Sequence, residues 1–351
     1  MQHRITRRQF VTSLGAAIAA APLLARSAEA INVRVGIAQA SSDVGLYLAQ
    51  RKGYFKAEGL NVSFVPFDSG ARMVAPLGAG QLDVGAGSAA AGLYNAVARG
   101  IAIKIVADKG STPPGYGFQP LLVRKDLVDS GRYKSLKDLK GMKIAGSAPG
   151  SASTSTLNQA LRKAGLKYSD VERVFLAFPQ HVVALQNKAV DASMTTEPSA
   201  TRAVQSGAAV KVMGDDEIYP NHQLAVILYG GNFIKDQPDA ARRFMRAYLR
   251  AVRDYNDALS NGKIAGANAE EVIAALTEYT PIKDPALYRS ITPQGCNPDG
   301  KLNEASLKTD LEFFKEQGEV KDNVTVEQAV DHSFVEAALK DLGPYKPKSR
   351  K

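Results

Sequence analysis

The 351-residue chain has no tryptophan and one cysteine, and its four histidines, His3, His181, His222 and His332, are scattered. A lone Cys296 cannot form an internal disulfide, so stability has to come from a buried core. No histidine stands at metal-ligand spacing from a cysteine or carboxylate, and neither a G-x-S-x-G elbow nor a P-loop occurs. The sequence therefore implies no metal, no cofactor and no enzyme. Beyond Val11 to Ala25 no apolar run approaches the roughly 20 residues that a membrane helix needs. With 45% hydrophobic and 23% charged residues the composition is that of an ordinary globular protein, which excludes a disordered chain or a collagen. At this length two lobes are expected, each burying its own core.

What is present begins with a basic start containing Arg7-Arg8-Gln-Phe-Val, then the apolar stretch, then Ala28-Glu29-Ala30. This pattern predicts a signal peptide over residues 1–30, cleaved after Ala30, and hence a free periplasmic protein. The paired arginines resemble a twin-arginine signal, with general secretory export the alternative. Removing those residues, Arg4, Arg7, Arg8, Arg26 and Glu29 among them, leaves 40 basic and 34 acidic residues. Four of the basic ones, Lys346, Lys348, Arg350 and Lys351, form a tail at 346–351, so the body is close to neutral. A nucleic-acid binder would carry a basic stripe on its folded surface; no nucleic-acid partner is expected.

From Val33 onward short apolar runs alternate with helical periods, the signature of an α/β chain. Strands are predicted at 33–38, 60–67, 82–84 and 101–107, with helices at 44–52, 72–79 and 89–99. A second series starts near 136, with a helix at 154–164, strands at 174–178, 191–194 and 210–213, and helices at 182–188 and 199–206. Two runs, 119–124 and 223–229, stand outside both series, and beyond them the chain is mainly helical, notably at 238–260 and 303–317. The segment Val74 to Ala86 recurs as Val182 to Met194, with leucine six residues before aspartate in both (Leu77 and Asp83; Leu185 and Asp191). A unit repeated 108 positions later implies two similar halves, with the two isolated runs as the crossings between them: a hinged clamshell.

Polar Gly/Ser clusters recur where a strand hands over to a helix: Gln39 to Asp43, Asp68-Ser69-Gly70, Gly87-Ser88-Ala89, Gly150 to Thr154 and Thr195-Thr196-Glu197. Helix amino termini carry unpaired N–H groups and partial positive charge, which suit anionic or strongly polar groups. The same residue types are also ordinary helix caps. Gly85-Ala-Gly87-Ser-Ala-Ala90 satisfies a dinucleotide fingerprint, but it follows the third strand of its unit rather than the first, which argues against a nucleotide site.

Ala49 to Val62 with Gly53, Phe55 and Gly59, Gly80-Gln-Leu-Asp83-Val-Gly, Leu136 to Ala145, Val190-Asp191-Ala and Glu197-Pro198 together resemble the nitrate/sulfonate/taurine and thiamine-precursor type of periplasmic solute-binding protein. The resemblance runs over nearly the whole chain after residue 30. It implies an α/β, two-lobe clamshell of periplasmic-binding-protein type II, with lobe 1 at 31–118 and 226–345 and lobe 2 at 119–225. It implies a monomeric receptor that passes a small-molecule solute to an ABC permease and ATPase of the inner membrane. By motif position Ser41, Ser42, Ser69, Gly87, Ser88, Ser151, Ser153 and Glu197 are expected to face the cleft, with Gly53, Phe55, Gly59, Asp83 and Asp191 serving packing or turns. Tyr47, Tyr116, Phe118, Tyr219 and His222 are candidates to stack on an aromatic solute, His222 being counted with the ligand-binding set. The solute class stays open between sulfonate, nitrate or taurine and pyrimidine or aromatic compounds. An exported enzyme or a ligand sensor on the same scaffold is the alternative.

Overall fold

The computed structural model describes residues 29–321 and 323–348, so the expected signal peptide lies outside the described residues apart from Glu29 and Ala30. Ten strands form two five-stranded sheets. The first contains β1 (Ile31–Ile37), β2 (Leu60–Pro66), β3 (Val84–Gly87), β4 (Ile103–Gly110) and β10 (Ala225–Gly230), in the order β2-β1-β3-β10-β4. The second contains β5 (Leu121–Arg124), β6 (Lys143–Gly146), β7 (Glu172–Phe175), β8 (Ala192–Met194) and β9 (Ala209–Met213), in the order β7-β6-β8-β5-β9. The two orders are the same arrangement. In each, the first three strands of the unit pair in parallel, and one antiparallel strand, β10 or β5, separates the third from the last.

The 108-residue repeat has a physical basis in this arrangement. The Asp83 N–H donates to the Arg34 carbonyl at 3.0 Å, and the Arg34 N–H donates back to the Asp83 carboxylate at 2.7 Å. Asp191 makes the same exchange with Lys143, at 2.8 and 3.0 Å. Each aspartate thus ties the entry of the third strand to the first, while Leu77 and Leu185, six residues earlier, are buried beneath.

The isolated runs are not themselves the crossings, as the sequence reading has it. Both end as full sheet members, because an apolar run of four to six residues buries both faces only inside a sheet. The chain crosses instead through the Pro- and Gly-bearing segments 111–120 and 214–224.

The core also departs from the expectation of two separate interiors. One apolar cluster joins Ile103, Ile105 and Val226 of the first sheet to Leu121, Val123 and Ile144 of the second. Its bridge is a late helix, α8 (Glu304–Glu316), whose Leu307, Leu311 and Phe314 point inward at helical spacing. Phe313 meets Tyr168 of the second half edge-on at 5.1 Å, and Phe314 meets Tyr94 of the first at 6.5 Å. The stretch after residue 225 therefore serves both halves, not the first alone. A second large cluster lies under the long helix α7 (Pro238–Ala258), which stacks Phe244 on Phe55 at 4.8 Å and packs on α1 (Val44–Arg51). Within the tail, Lys348 folds back onto Asp254 and Asp257, at 2.9 and 3.3 Å.

Candidate functional site

The carboxyl ends of the parallel strands in both sheets converge on one cleft, as expected of open α/β sheets. Helices begin there on both halves: α1, through its lead-in turn Ser41–Asp43, and α3 (Ala91–Ala98) on the first, and α4 (Ala152–Lys163), α5 (Phe178–Gln186) and α6 (Ser199–Gln205) on the second. The halves touch across the cleft. The Ala91 N–H at the start of α3 donates to the Gly150 carbonyl at 2.8 Å, and the Ser41 N–H donates to the Glu197 carbonyl at 3.0 Å. Gly150 has φ +59°, and a methyl group there would stand 2.7 Å from the Ala91 Cβ, so contact at this point depends on glycine.

Between the halves lies an inner cavity of about 40 Å³. The first half contributes Ser42, Gly70, Gly87, Ser88 and Lys109; the second contributes Ser147, Ser151, Ser153 and Thr196; Phe118 and Gln119 come from the first crossing. Gly70 and Gly87 let two loops meet at backbone distance, because a Cβ on Gly70 would lie 2.8 Å from the Gly87 main chain. The serines are linked to one another: Ser151 and Ser153 hydroxyls are 2.8 Å apart, Ser147 is 3.3 Å from Ser153, and Ser151 donates to the Ala148 carbonyl at 2.9 Å. Such a hydroxyl cluster ahead of α4 adds rotatable donors to the fixed N–H groups of a helix start.

Lys109, only 3% exposed, is the cation of this cavity. Its ammonium sits 2.8 Å from Asp43 Oδ1 and donates to the Ala86 carbonyl at 3.1 Å. Asp43 in turn accepts from the Ala38 and Ala40 N–H groups, both at 3.1 Å, and so holds the turn that carries Gln39 at φ +53°. The ammonium is thus ion-paired with one carboxylate and hydrogen-bonded to one carbonyl. Gln119 donates to Thr196 at 2.5 Å, and its amide oxygen is buried without a partner among the described residues. A buried polar atom left unpaired is costly, and an amide oxygen, being an acceptor, is satisfied by a donor and not by an anion.

A larger chamber of about 570 Å³ adjoins the inner cavity, sharing Ala38, Ala40, Phe178 and Thr196 as walls. Its lining is mainly apolar, with Phe67, Val182, Pro198, Ile282 and Leu287 around it and Arg202, Asp68 and Asp284 among its polar members.

Of the residues expected at the cleft, Ser42, Gly87, Ser88, Ser151 and Ser153 line the inner cavity and Glu197 lines the chamber. Ser41 and Ser69 are buried one position behind the walls, next to Ser42 and Gly70. Ser41 instead contributes its main chain to the contact between halves. Glu197 does not present a free charge. Its carboxylate accepts from the Thr201 N–H and hydroxyl, both at 2.8 Å, and from the Thr292 N–H at 3.4 Å; burial raises its pKa.

His222 is a correction. It is fully buried behind the cleft, lies against Asp310 of α8 at 2.7 Å and Thr156 at 3.1 Å, and stacks on Tyr219 at 4.2 Å. Its polar edges are consumed in joining the second crossing to both halves, so it lines neither compartment. Tyr47 is likewise core, stacked on Tyr279, and of the five aromatic candidates Phe118 borders the cleft. Tyr116 and Cys296 border a separate cavity of about 700 Å³ behind the crossings, where burial holds the thiol well above its ordinary pKa.

Lys109, Gln119, Ser147 and Phe178 were not singled out from the sequence, whereas Thr196 belongs to the Thr195-Thr196-Glu197 cluster named there. Lys109 lies on β4, which runs three residues past its predicted end, and Phe178 opens a helix where a strand is predicted. Pro179 was the available signal, since proline in the first turn fixes a helical φ and removes no needed donor.

The family model described as NMT1/THI5 like matches residues 41–258. The taurine-binding periplasmic protein of Escherichia coli K12 is 26% identical over 322 residues, covering 88% of this chain and 94% of its own. A solved protein of Bordetella bronchiseptica RB50 is 26% identical with a TM-score of 0.71, over 91% of this chain and 99% of that one. The alkanesulfonate-binding protein SsuA of Xanthomonas axonopodis pv. citri, solved with MOPS bound, is 20% identical with a TM-score of 0.68, over 87% and 99%.

Proposed function

Because the chain belongs to the NMT1/THI5-like family, we propose that it is a periplasmic receptor, not an enzyme, which closes on a small organic solute with an anionic or strongly polar head group. It hands that solute, as a monomer, to the permease and ATPase of an ABC importer in the inner membrane. The observation that carries this reading is the inner cavity, where a buried ammonium, the start of α4 and serines from both halves face one small volume. Groups supplied by both halves bind better when the halves are together, so the solute favours the closed state by its differential affinity. The names of the taurine-binding and alkanesulfonate-binding relatives agree with an anionic head.

The head group fits the local chemistry in three respects. The Lys109 ammonium and the serine hydroxyls supply donors. The start of α4 supplies partial positive charge. Asp43, paired with Lys109, keeps the empty cavity from carrying an uncompensated buried cation.

Thermal unfolding and calorimetry with taurine, alkanesulfonates, nitrate, aromatic carboxylates and pyrimidines test the reading. A solute that binds only the native state raises the melting temperature by mass action. Ser151→Leu fills the cavity and is expected to abolish that rise while the unliganded protein still unfolds cooperatively. An undiminished rise in this variant places the solute elsewhere. Solute uptake by a strain lacking the chain, compared with one that has it, tests delivery to an importer.

A further inference from the structure

Charge is divided unevenly between the halves. Residues 121–213, which build the second sheet and its helices, hold 14 basic and 7 acidic residues, a net charge of +7. Apart from the basic tail, residues 31–120 and 214–345 hold 22 basic and 27 acidic ones, a net charge of −5. The excess on the second half gathers at one end. Arg132, Lys134, Lys137 and Lys140 lie on the run that enters β6 through the turn Leu136–Leu139, while Lys163 closes α4 and Lys167 precedes β7. That turn packs on α4, and the Gly141 N–H donates to the Asp170 carbonyl at 2.7 Å, so the two runs are neighbours. All six cations are exposed, and none is ion-paired with a carboxylate among the described residues. The acidic residues beside them are turned to the main chain: Asp138 accepts from the Lys134 and Ser135 N–H groups and Asp170 from the Lys167 N–H, all at 2.8 Å. Since β6 and β7 run parallel and their carboxyl ends face the cleft, this basic surface is the pole remote from it.

We propose that this pole is an electrostatic docking surface for a bilayer that contains anionic phospholipid. The six cations are spread over a blunt end and line none of the cavities described above, so they suit an extended anionic surface and not one small anion. Tyr133 and Tyr168, the aromatic residues of these runs, are buried, which leaves no ring for a nucleic-acid base to stack on. Five of the six are lysines. A lysine is a point charge on a flexible stem with no planar fork for a fixed carboxylate, and it follows head groups that move in the plane of a membrane. Each basic residue held near an anionic bilayer adds to the attraction, over a distance of about 8 Å at physiological salt. The same surface repels the negatively charged first half, so the division of charge also orients the molecule, with the second half against the lipid. The cleft, at the opposite ends of the strands, stays open to solution. This inference goes beyond the receptor reading and does not depend on which solute the cleft takes.

The test is flotation of the full chain after residue 30 with vesicles of phosphatidylcholine containing about one-third phosphatidylglycerol, against vesicles of phosphatidylcholine alone. The expected result is binding to the anionic vesicles only, with affinity falling at least about tenfold between roughly 0.01 and 0.15 M salt. Lys137→Gln, Lys140→Gln and Lys167→Gln combined weaken that binding by about 10- to 100-fold. Lys56→Gln, Arg99→Gln and Lys235→Gln, an equal loss of exposed charge from the first half, leave it within about twofold. Both combined variants keep the melting temperature of the parent within about 2 °C, because surface substitutions away from packed groups change stability little. No binding to the anionic vesicles at low salt overturns the proposal, and so does an equal loss in the two sets of variants. Tighter binding to poly-glutamate than to the vesicles assigns the pole to an acidic protein and overturns the lipid. In each of these outcomes the receptor reading still stands or falls by its own solute titration.

Discussion

His181 shows how a residue behind the cleft walls shapes them. It is fully buried; its Nε2–H donates to the Leu176 and Gly146 carbonyls at 3.0 and 3.2 Å, and Nδ1 accepts from the Thr195 hydroxyl at 2.9 Å. One neutral tautomer satisfies all three, and Gly146 and Thr195 lead directly into the Ser147 and Thr196 walls. Burial lowers its pKa from 6.5 to about 4. In the unfolded chain the ring takes up a proton near 6.5, so between the two values the unfolded state binds more protons and stability falls on acidification. Stability is expected to be full above about pH 6.5 and to lose roughly 3 kcal/mol by pH 4 through this residue. His181→Gln should flatten the slope between pH 4.5 and 7.5, measured by urea unfolding at each pH. An unchanged slope would place the acid sensitivity elsewhere.

At the scale of the element, the paired aspartates are the test of the repeat. Both close the same strand-to-strand link, but Asp83 also receives the Arg34 guanidinium at 3.0 and 2.8 Å, whereas Arg124 stands 3.5 Å from Asp191. Charge-assisted hydrogen bonds contribute about 1.5–3 kcal/mol where buried, less where water reaches them. Asp83→Ala is therefore expected to cost about 2 kcal/mol and Asp191→Ala about 1. Hydrogen exchange should localise each loss to its own sheet, at Arg34 or at Lys143. Loss spread evenly over both sheets would mean the units are not independent in this respect. The repeat was legible because spacing and residue type survive in sequence. The ends of the elements were less so: β4 and α5 both differ from their predicted limits, and in each case a cleft residue, Lys109 or Phe178, lay in the misread portion. Local pattern reports a period, whereas the end of an element depends on what packs beyond it.

For the whole molecule the question is how the halves come together. Gly150 is the point where a single methyl group tests closure, since its Cβ would meet Ala91 of the other half at 2.7 Å. Gly150→Ala should add a closed-state penalty of about 1–3 kcal/mol from overpacking, and so weaken solute binding by roughly 5- to 150-fold. Backbone strain at positive φ acts in open and closed states alike and should appear separately, as a lower melting temperature without solute. Small-angle scattering is expected to show a solute-dependent decrease in radius of gyration in the parent chain and a smaller one in the variant. Compaction of equal size in both would remove Gly150 from the closing contact.

The α/β class, the doubled unit and the general run of polar loops were determined by the sequence alone, because hydrophobic period and helix-start chemistry are local and can be read within a dozen residues. Tertiary structure decided which of those loops share a wall. It set Ser42, Ser88, Ser151 and Ser153 around one cavity, withdrew His222 into a buried pair with Asp310, and turned Glu197 toward Thr201. It also brought in Lys109, whose neighbour Asp43 lies 66 positions earlier in the chain. Contacts across such separations depend on how two sheets and a shared helix pack, and the packing that selects them leaves no periodic mark in the sequence.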